Sequence, residues 1–269
     1  MTNVEGSPNA QMTKATADVS SFGFRHSFDI RHSSFVIPRI FHSLANLAAR
    51  SWMKLLFGYA ARVYVVGREN LNHEGAFLLA ANHISHFDPL ILSAVVRRKI
   101  DWMAMAEFFT RPFIGFALRA VDAFPAERDR ADRATIRSAI ARLRQGRIVG
   151  IFPEGGIRDG GRSLLEGARL RPGASTLGHM ARVPIVPCVI LGSDRLYAIK
   201  NWLPLRRVPV WIAFGHPIPN FPNLEKSVAR EHIHRELAAS FGLLYAELRQ
   251  RFMLTANDLP HPPRERMRD

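Results

Sequence analysis

The stretch "GAFLLAANHISHFDPLIL", residues 75–92, decides the fold. Its first half, through Ala81, is nearly all apolar. That pattern suits a strand in a sheet covered on both faces. The second half, from Pro89 through "PLILSAVVRRK", reads as a helix. Between them stand His83, His86 and Asp88. Asp88 followed by Pro89 suits a helix start, with aspartate as N-cap and proline at N1.

Working outward, the same alternation recurs. "RVYVVGRENL" (62–71) reads as a strand, and "IDWMAMAEF" (100–108) as a strand or short helix. "PFIGFALRAVDAFPAERD" (112–129) fits neither pattern. Residues 130–145, "RADRATIRSAIARLRQ", place Ile136, Ile140 and Leu143 on one helical face. Asp129 or Asp132 can cap this helix and Gly146 can stop it. Strands follow at "RIVGIFPEG" (147–155), "PIVPCVILG" (184–192) and "VPVWIAFGHPI" (208–218), with a helix at "GASTLGHMARV" (173–183). A long helix over 226–252 carries Ile233, Leu237, Phe241, Leu244, Leu248 and Phe252. Strands alternating with helices predict an α/β fold with a mostly parallel central sheet flanked by helices.

Residues 37–62 precede this domain. Ile40, Leu44, Leu47, Trp52, Leu55, Leu56 and Tyr59 recur at helical spacing, with Arg50, Lys54 and Arg62 off the stripe. Such an amphipathic helix can pack on its own domain or lie in a membrane interface. Residues 1–36 are polar and Ser-rich, without the charged start and apolar core of a secretory signal, and read as a disordered extension. "LPHPPRERMRD" is Pro-rich and basic, so 256–269 reads as a disordered tail. No run reaches about 18 apolar residues, so no transmembrane helix is expected.

The formal charge is +14, which points to nucleic acid, a membrane surface or phosphorylated substrates. The sequence holds no recognition helix, zinc finger or aromatic RNA-stacking motif, so nucleic acid is not an expected partner. Cys188 is the one cysteine, which excludes an internal disulfide and a multi-cysteine metal site. It sits in an apolar run and reads as a buried, inert thiol.

In open parallel sheets, ligands bind beyond the carboxyl ends of the strands. His83 lies at such an end. A neutral imidazole there can accept a proton near physiological pH. Asp88 can fold back to hold its other ring nitrogen, a role compatible with capping. His86 should point away. A zinc site would need a third ligand that the sequence does not place, so no metal is expected. A second cluster, "IFPEGGIRDGGRSLLEG" (151–167), puts Glu154 on a glycine-rich turn with Arg158 and Arg162. It lacks the Gly-Lys-Ser/Thr ending of a nucleotide P-loop.

Together these segments resemble the glycerolipid acyltransferases, the group containing lysophosphatidic acid acyltransferase. Asn82-His83-x4-Asp88 matches that family's first motif, Phe152-Pro153-Glu154-Gly155 its second signature, and Val183-Pro184-Ile185-Val186-Pro187 its last. The three stand in the family's order, and the resemblance spans about residues 50–220. It implies a glycerol-3-phosphate acyltransferase-like fold over 63–255. It also implies that His83 is the general base, oriented by Asp88. Asn82, Glu154, Gly155, Arg158 and Arg128 (in "FPAERDR") would bind the acceptor, and 183–187 would line the acyl or acceptor pocket. No cofactor is implied; the co-substrate would be acyl-ACP or acyl-CoA. Expected partners are an anionic membrane surface, a lysolipid and the thioester carrier, at the cytoplasmic face of the cell membrane. The sequence has no Gly-x-Ser-x-Gly elbow, which agrees with direct transfer. Two positions depart from the family. Met105 stands where lysine is common, and Gly156-Ile157-Arg158 replaces Thr-Arg-Ser. Another lysolipid or an aminolipid is therefore an alternative acceptor, and an idle lipid-binding domain an alternative function.

Overall fold

The computed structural model describes residues 39–267 apart from 113–114, 116–117, 120–121, 127–132 and 204–205. The expected extension 1–36, Arg128 and both proposed caps of the 130–145 helix lie outside the described residues.

Helix α1 (Arg39–Ala60) runs directly into β1 (Ala61–Val66). β2 (Phe77–Ala81) leads through a tight turn into α2 (Asp88–Val95). β3 (Ile100–Met105) is followed at once by the short α3 (Ala106–Phe109), so 100–108 is strand and helix in succession. Then come β4 (Phe124–Ala126), α4 (Arg133–Arg144), β5 (Ile148–Ile151), α5 (Gly173–Ala181), β6 (Ile185–Leu191) and β7 (Val208–Phe214). α6 (Lys226–Arg251) and α7 (Pro263–Arg266) complete the order.

The seven strands are ordered β1-β7-β6-β2-β5-β3-β4. β6, β2, β5, β3 and β4 are mutually parallel. β1 and β7 are parallel to each other and run the opposite way, meeting the rest at the antiparallel β6/β7 pair. The sheet is mostly parallel, as the alternation predicts. Two consequences place the site. The carboxyl ends of β2, β5 and β3 share one edge, and the chain leaving β6 emerges there too. Because β1 runs the opposite way, α1 also ends at that edge.

Every residue of β2 and β6 is buried, because helices cover both faces. The side chains alternate along β2. Leu78 and Ala80 join Ala139 and Leu143 of α4, Leu177 of α5, and Leu237 and Phe241 of α6. Phe77, Leu79 and Ala81 join Phe57 of α1 and Ile91 and Leu92 of α2 on the other face. The face expected on α6 is buried from Ile233 to Leu248, while Phe252 lies past the helix and packs its ring on Tyr64 at 5.3 Å. In α1, Phe57 and Ala60 are buried, whereas Leu44, Leu47, Trp52 and Leu55 face outward, Leu55 with 71% of its surface exposed.

The other sheet edge is closed by charge. Asp101, fully buried at the start of β3, accepts Arg147 Nη2 at 2.7 Å, with Lys99 and Arg142 within 4.0 Å. Part of the positive charge is thus structural.

The tail overturns an expectation. Ala256–Asp258 forms a 3-10 turn and α7 follows, with Arg266 buried. Its proline-rich, polar composition reads as disorder, but order comes from contacts with residues 194 and 195, which composition does not encode.

Phe241 is fully buried between α6 and the sheet. Phe241→Ala should destabilise the protein by about 3–5 kcal/mol through lost burial and the cavity left behind, read by urea unfolding.

Candidate active site

The turn after β2 is built by polar side chains acting as backbone. Asn82 is fully buried, and its amide pairs with Ile190: Nδ2 donates to the carbonyl at 3.0 Å and Oδ1 accepts the N–H at 2.7 Å. It extends the β2/β6 ladder by a side chain. The placement of Asn82 among the acceptor-binding residues is therefore corrected: both its polar atoms are bonded to β6.

His83 follows. Its Nδ1 lies 2.9 Å from Asp88 Oδ2. A carboxylate only accepts, so this contact puts the ring proton on Nδ1 and leaves the lone pair on Nε2. The ring stacks on Phe152 at 4.0 Å, and Phe152 stacks on Trp102 at 4.9 Å. The His83 side chain keeps 16% of its surface exposed while Asp88 keeps none.

Asp88 is the first residue of α2, and its side chain turns back rather than capping the helix forward. Oδ2 also accepts the N–H groups of Ile84 and Ser85, each at 2.8 Å. Oδ1 accepts the Ser193 hydroxyl. The N-cap reading is corrected accordingly: the carboxylate organises the turn before the helix, and the residue at the cap position is Phe87, which makes no side-chain cap. His86 is engaged by Tyr197 of the turn after β6. It is exposed and bonded through Nδ1 to Tyr197 Oη at 2.5 Å. Burial, assisted by nearby His83, holds its pKa below the ordinary value.

The glycine-rich loop grips His83 by its backbone. Glu154 Oε2 accepts the His83 N–H at 2.5 Å, and the Arg158 N–H donates to the His83 carbonyl at 2.9 Å. Glu154 Oε1 accepts the Leu164 N–H at 2.7 Å and the Ser163 hydroxyl at 3.1 Å. With 6% of its surface exposed, Glu154 is a brace between two loops rather than an open ligand for acceptor hydroxyls. Gly155 has φ +71°, and a Cβ there would lie 2.6 Å from the Arg171 guanidinium. Glycine thus serves both the left-handed turn and the approach of that arginine.

Residues 183–187 do not join this site. Val183 and Pro184 precede β6 at the opposite sheet edge, and Ile185, Val186 and Pro187 are its buried first residues. Pro184 and Arg182 border a different cavity, of about 520 Å³, with Asn70, His73 and Asn220. The apolar run is core because it is a central strand, so the pocket-lining role implied by the family resemblance is corrected for 183–187. Met105 ends β3 at the site edge and Ile157 lies in the glycine loop. Cys188 is buried, and burial pushes its thiol pKa well above the ordinary value.

Sequence reasoning missed Ser163, Arg171, Ser193 and Tyr197. Ser163 and Arg171 lie near the Glu154 motif and could have been sought there. Ser193 and Tyr197 carried no local signal, since their partners are 105 and 111 residues away.

A histidine held by a buried aspartate at the carboxyl edge of a parallel sheet is an arrangement able to accept a proton from a bound hydroxyl. The chain belongs to the acyltransferase family, whose model matches residues 62–191, and it is an acyltransferase. It is 31% identical over 141 residues to the 1-acyl-sn-glycerol-3-phosphate acyltransferase of Bacillus subtilis, covering 52% of this chain and 68% of that protein. It is 25% identical to the protein of that name from Borreliella burgdorferi, covering 72% of this chain and 79% of the other. The crystal structure of the 1-acyl-sn-glycerophosphate acyltransferase PlsC from Thermotoga maritima has the same fold: TM-score 0.57, 19% identity, 76% of this chain and 81% of that one.

Burial raises the Glu154 pKa above its ordinary 4.5, although three donors oppose the shift. A carboxylate raised on folding binds its proton more readily in the native state. Its contribution is therefore fully present in acid and is lost as pH rises through the raised value. Against Glu154→Gln, the wild type should lose stability as pH rises above 4.5, with the variant's slope flatter, in urea unfolding across a pH series.

Proposed function

We propose that this acyltransferase moves a fatty acyl group from an acyl-CoA or acyl-ACP thioester to the hydroxyl of a lysophospholipid, first of all lysophosphatidic acid, giving phosphatidic acid. The observation that carries this reading is the His83–Asp88 pair, with Nδ1 held and Nε2 left to meet a hydroxyl. The names of the Bacillus and Borreliella relatives support the choice of acceptor.

In this mechanism His83 Nε2 takes the proton of the acceptor hydroxyl as its oxygen attacks the thioester carbonyl. Asp88 stabilises the imidazolium that forms. The tetrahedral intermediate collapses with cleavage of the C–S bond, and the proton on Nε2 passes to the departing thiolate. Transfer is direct, since the protonated, buried Cys188 is unsuited to carry the acyl group. Arg158 and Arg171, on and against the glycine loop, are the described cations best placed for the acceptor phosphate.

The enzyme acts at a membrane surface, on the cytoplasmic face. Among the described residues no helix is long and apolar enough to cross a membrane. The exposed Leu44, Leu47, Trp52 and Leu55 of α1 supply an apolar face for interfacial binding, and the +14 charge favours an anionic surface.

Thiol release from acyl-CoA and acyl-ACP, with lysophosphatidic acid, other lysolipids or no acceptor, tests this reading. Release should depend on lysophosphatidic acid, and His83→Ala should lower it by roughly 10²- to 10⁴-fold with the fold retained. Release only with another acceptor would move the substrate and point to Met105 and Ile157. Folded protein that binds liposomes without releasing thiol would overturn the reading in favour of a lipid-binding domain.

A further inference from the structure

The 193–197 turn touches two things at once. On one side, Ser193 donates to Asp88 Oδ1, and Tyr197 Oη meets both the N–H and Nδ1 of His86. On the other side, Asp194 and Arg195 hold the segment 255–267. Asp194 Oδ2 accepts Arg266 Nε at 2.7 Å and the His261 N–H at 3.1 Å. Arg195 Nη2 donates to the Asn257 carbonyl and to Asp258 Oδ1, both at 2.7 Å. Arg266 Nη2 bonds the carbonyls of Asn257 and Leu259, drawing its own segment into a closed bend. Thr255 and Asp258 bond each other reciprocally at the start of that bend.

Ser193 and Asp194 are consecutive and both fully buried, one facing the catalytic carboxylate and the other the tail. The backbone between them cannot shift without moving both. Gly192, at φ +83°, lies so close to the Pro209 carbonyl that a Cβ would meet it at 2.3 Å, so the turn has no slack on that side. A buried carboxylate that loses its cation must regain water or protonate. Either change at Asp194 rearranges the turn that carries Ser193.

We propose that the segment 255–267 is a strap that positions Asp88, with Arg266 acting through Asp194 and Ser193; this rests on His83 and Asp88 being the reacting pair. Arg266, Asp194 and Ser193 are positioning residues. They touch neither substrate, and their effect appears in the alignment of His83 rather than in binding.

The test uses the full chain with Ser193→Ala, Ser193→Thr, Arg266→Ala, Arg266→Lys and Asp258→Asn. Steady-state thiol release is measured with acyl-CoA and lysophosphatidic acid. The proton NMR signal of His83 Nδ1–H, identified by its loss in His83→Ala, is followed alongside. Ser193→Ala and Arg266→Ala should lower kcat by about 10- to 10²-fold, the scale of a misaligned catalytic group, with KM for both substrates little changed. The threonine and lysine variants should recover most of kcat, and the Nδ1–H signal should move in the alanine variants but not in these two. If Arg266→Ala does not fold, Asp258→Asn loosens the strap at its other end and should reduce kcat with the same unchanged KM. Unchanged kcat and an unmoved signal in the folded variants would overturn the strap. A wild type without turnover would overturn the chemistry instead. The Nδ1–H signal then decides the strap alone, which stands if the signal moves and falls if it does not.

Discussion

The Asp88 carboxylate is the constraint on which the site depends. It is fully buried and accepts from His83, from the N–H groups of Ile84 and Ser85, and from Ser193. An ionised carboxylate away from water costs several kcal/mol unless its lone pairs are met. Its four donors come from the turn after β2 and the turn after β6. Those turns must therefore close on each other for the charge to be tolerated, and closing them is what fixes the imidazole. Burial of Asp88 and the geometry of the His83–Asp88 pair are the same requirement here.

A second carboxylate divides the work. Asp88 holds the His83 ring, while Glu154 holds its backbone and ties it to the start of the 164–166 turn. Both are buried, but their settings differ. Asp88 bonds the His83 ring itself, whereas Glu154 bonds two backbone N–H groups and a hydroxyl and has its pKa raised by burial. The glycine-rich loop is therefore a clamp around His83. The stacking of His83 on Phe152 comes from the same loop, so the residues flanking Pro153 hold the ring face and the main chain together.

How much of this was legible in the sequence follows from the range of each interaction. The apolar runs of β2 and β6 and the spacing on α4 and α6 announce their elements, because burial on one or two faces is written locally. The pairing of His83 with Asp88 was readable because five residues of turn bring them together. The roles given to Asn82, Glu154 and 183–187 were not, because each depends on which remote backbone lies opposite. Asn82 finds Ile190, Glu154 finds His83 and Leu164, and 183–187 finds the sheet centre. The ordered tail was hidden for a further reason: prolines and charges fail to predict a core, yet Asp194 and Arg195 elsewhere in the chain dock them.

The reversal of direction at β6/β7 explains why so much converges on one edge. A parallel β7 would have required the chain to cross back beneath the sheet after Leu191. The antiparallel pair, with Leu191 opposite Trp211, lets residues 192–203 stay where β6 ends, beside the turn that carries His83. The partnership of β1 with β7 then aligns β1 the same way, so the last turn of α1 reaches that edge and Phe57 meets Phe87 at 6.3 Å. The last turn of α1, the Ser193 turn and His83 are thus neighbours by topology. One antiparallel junction beside the parallel strands β6, β2, β5, β3 and β4 supplies that proximity.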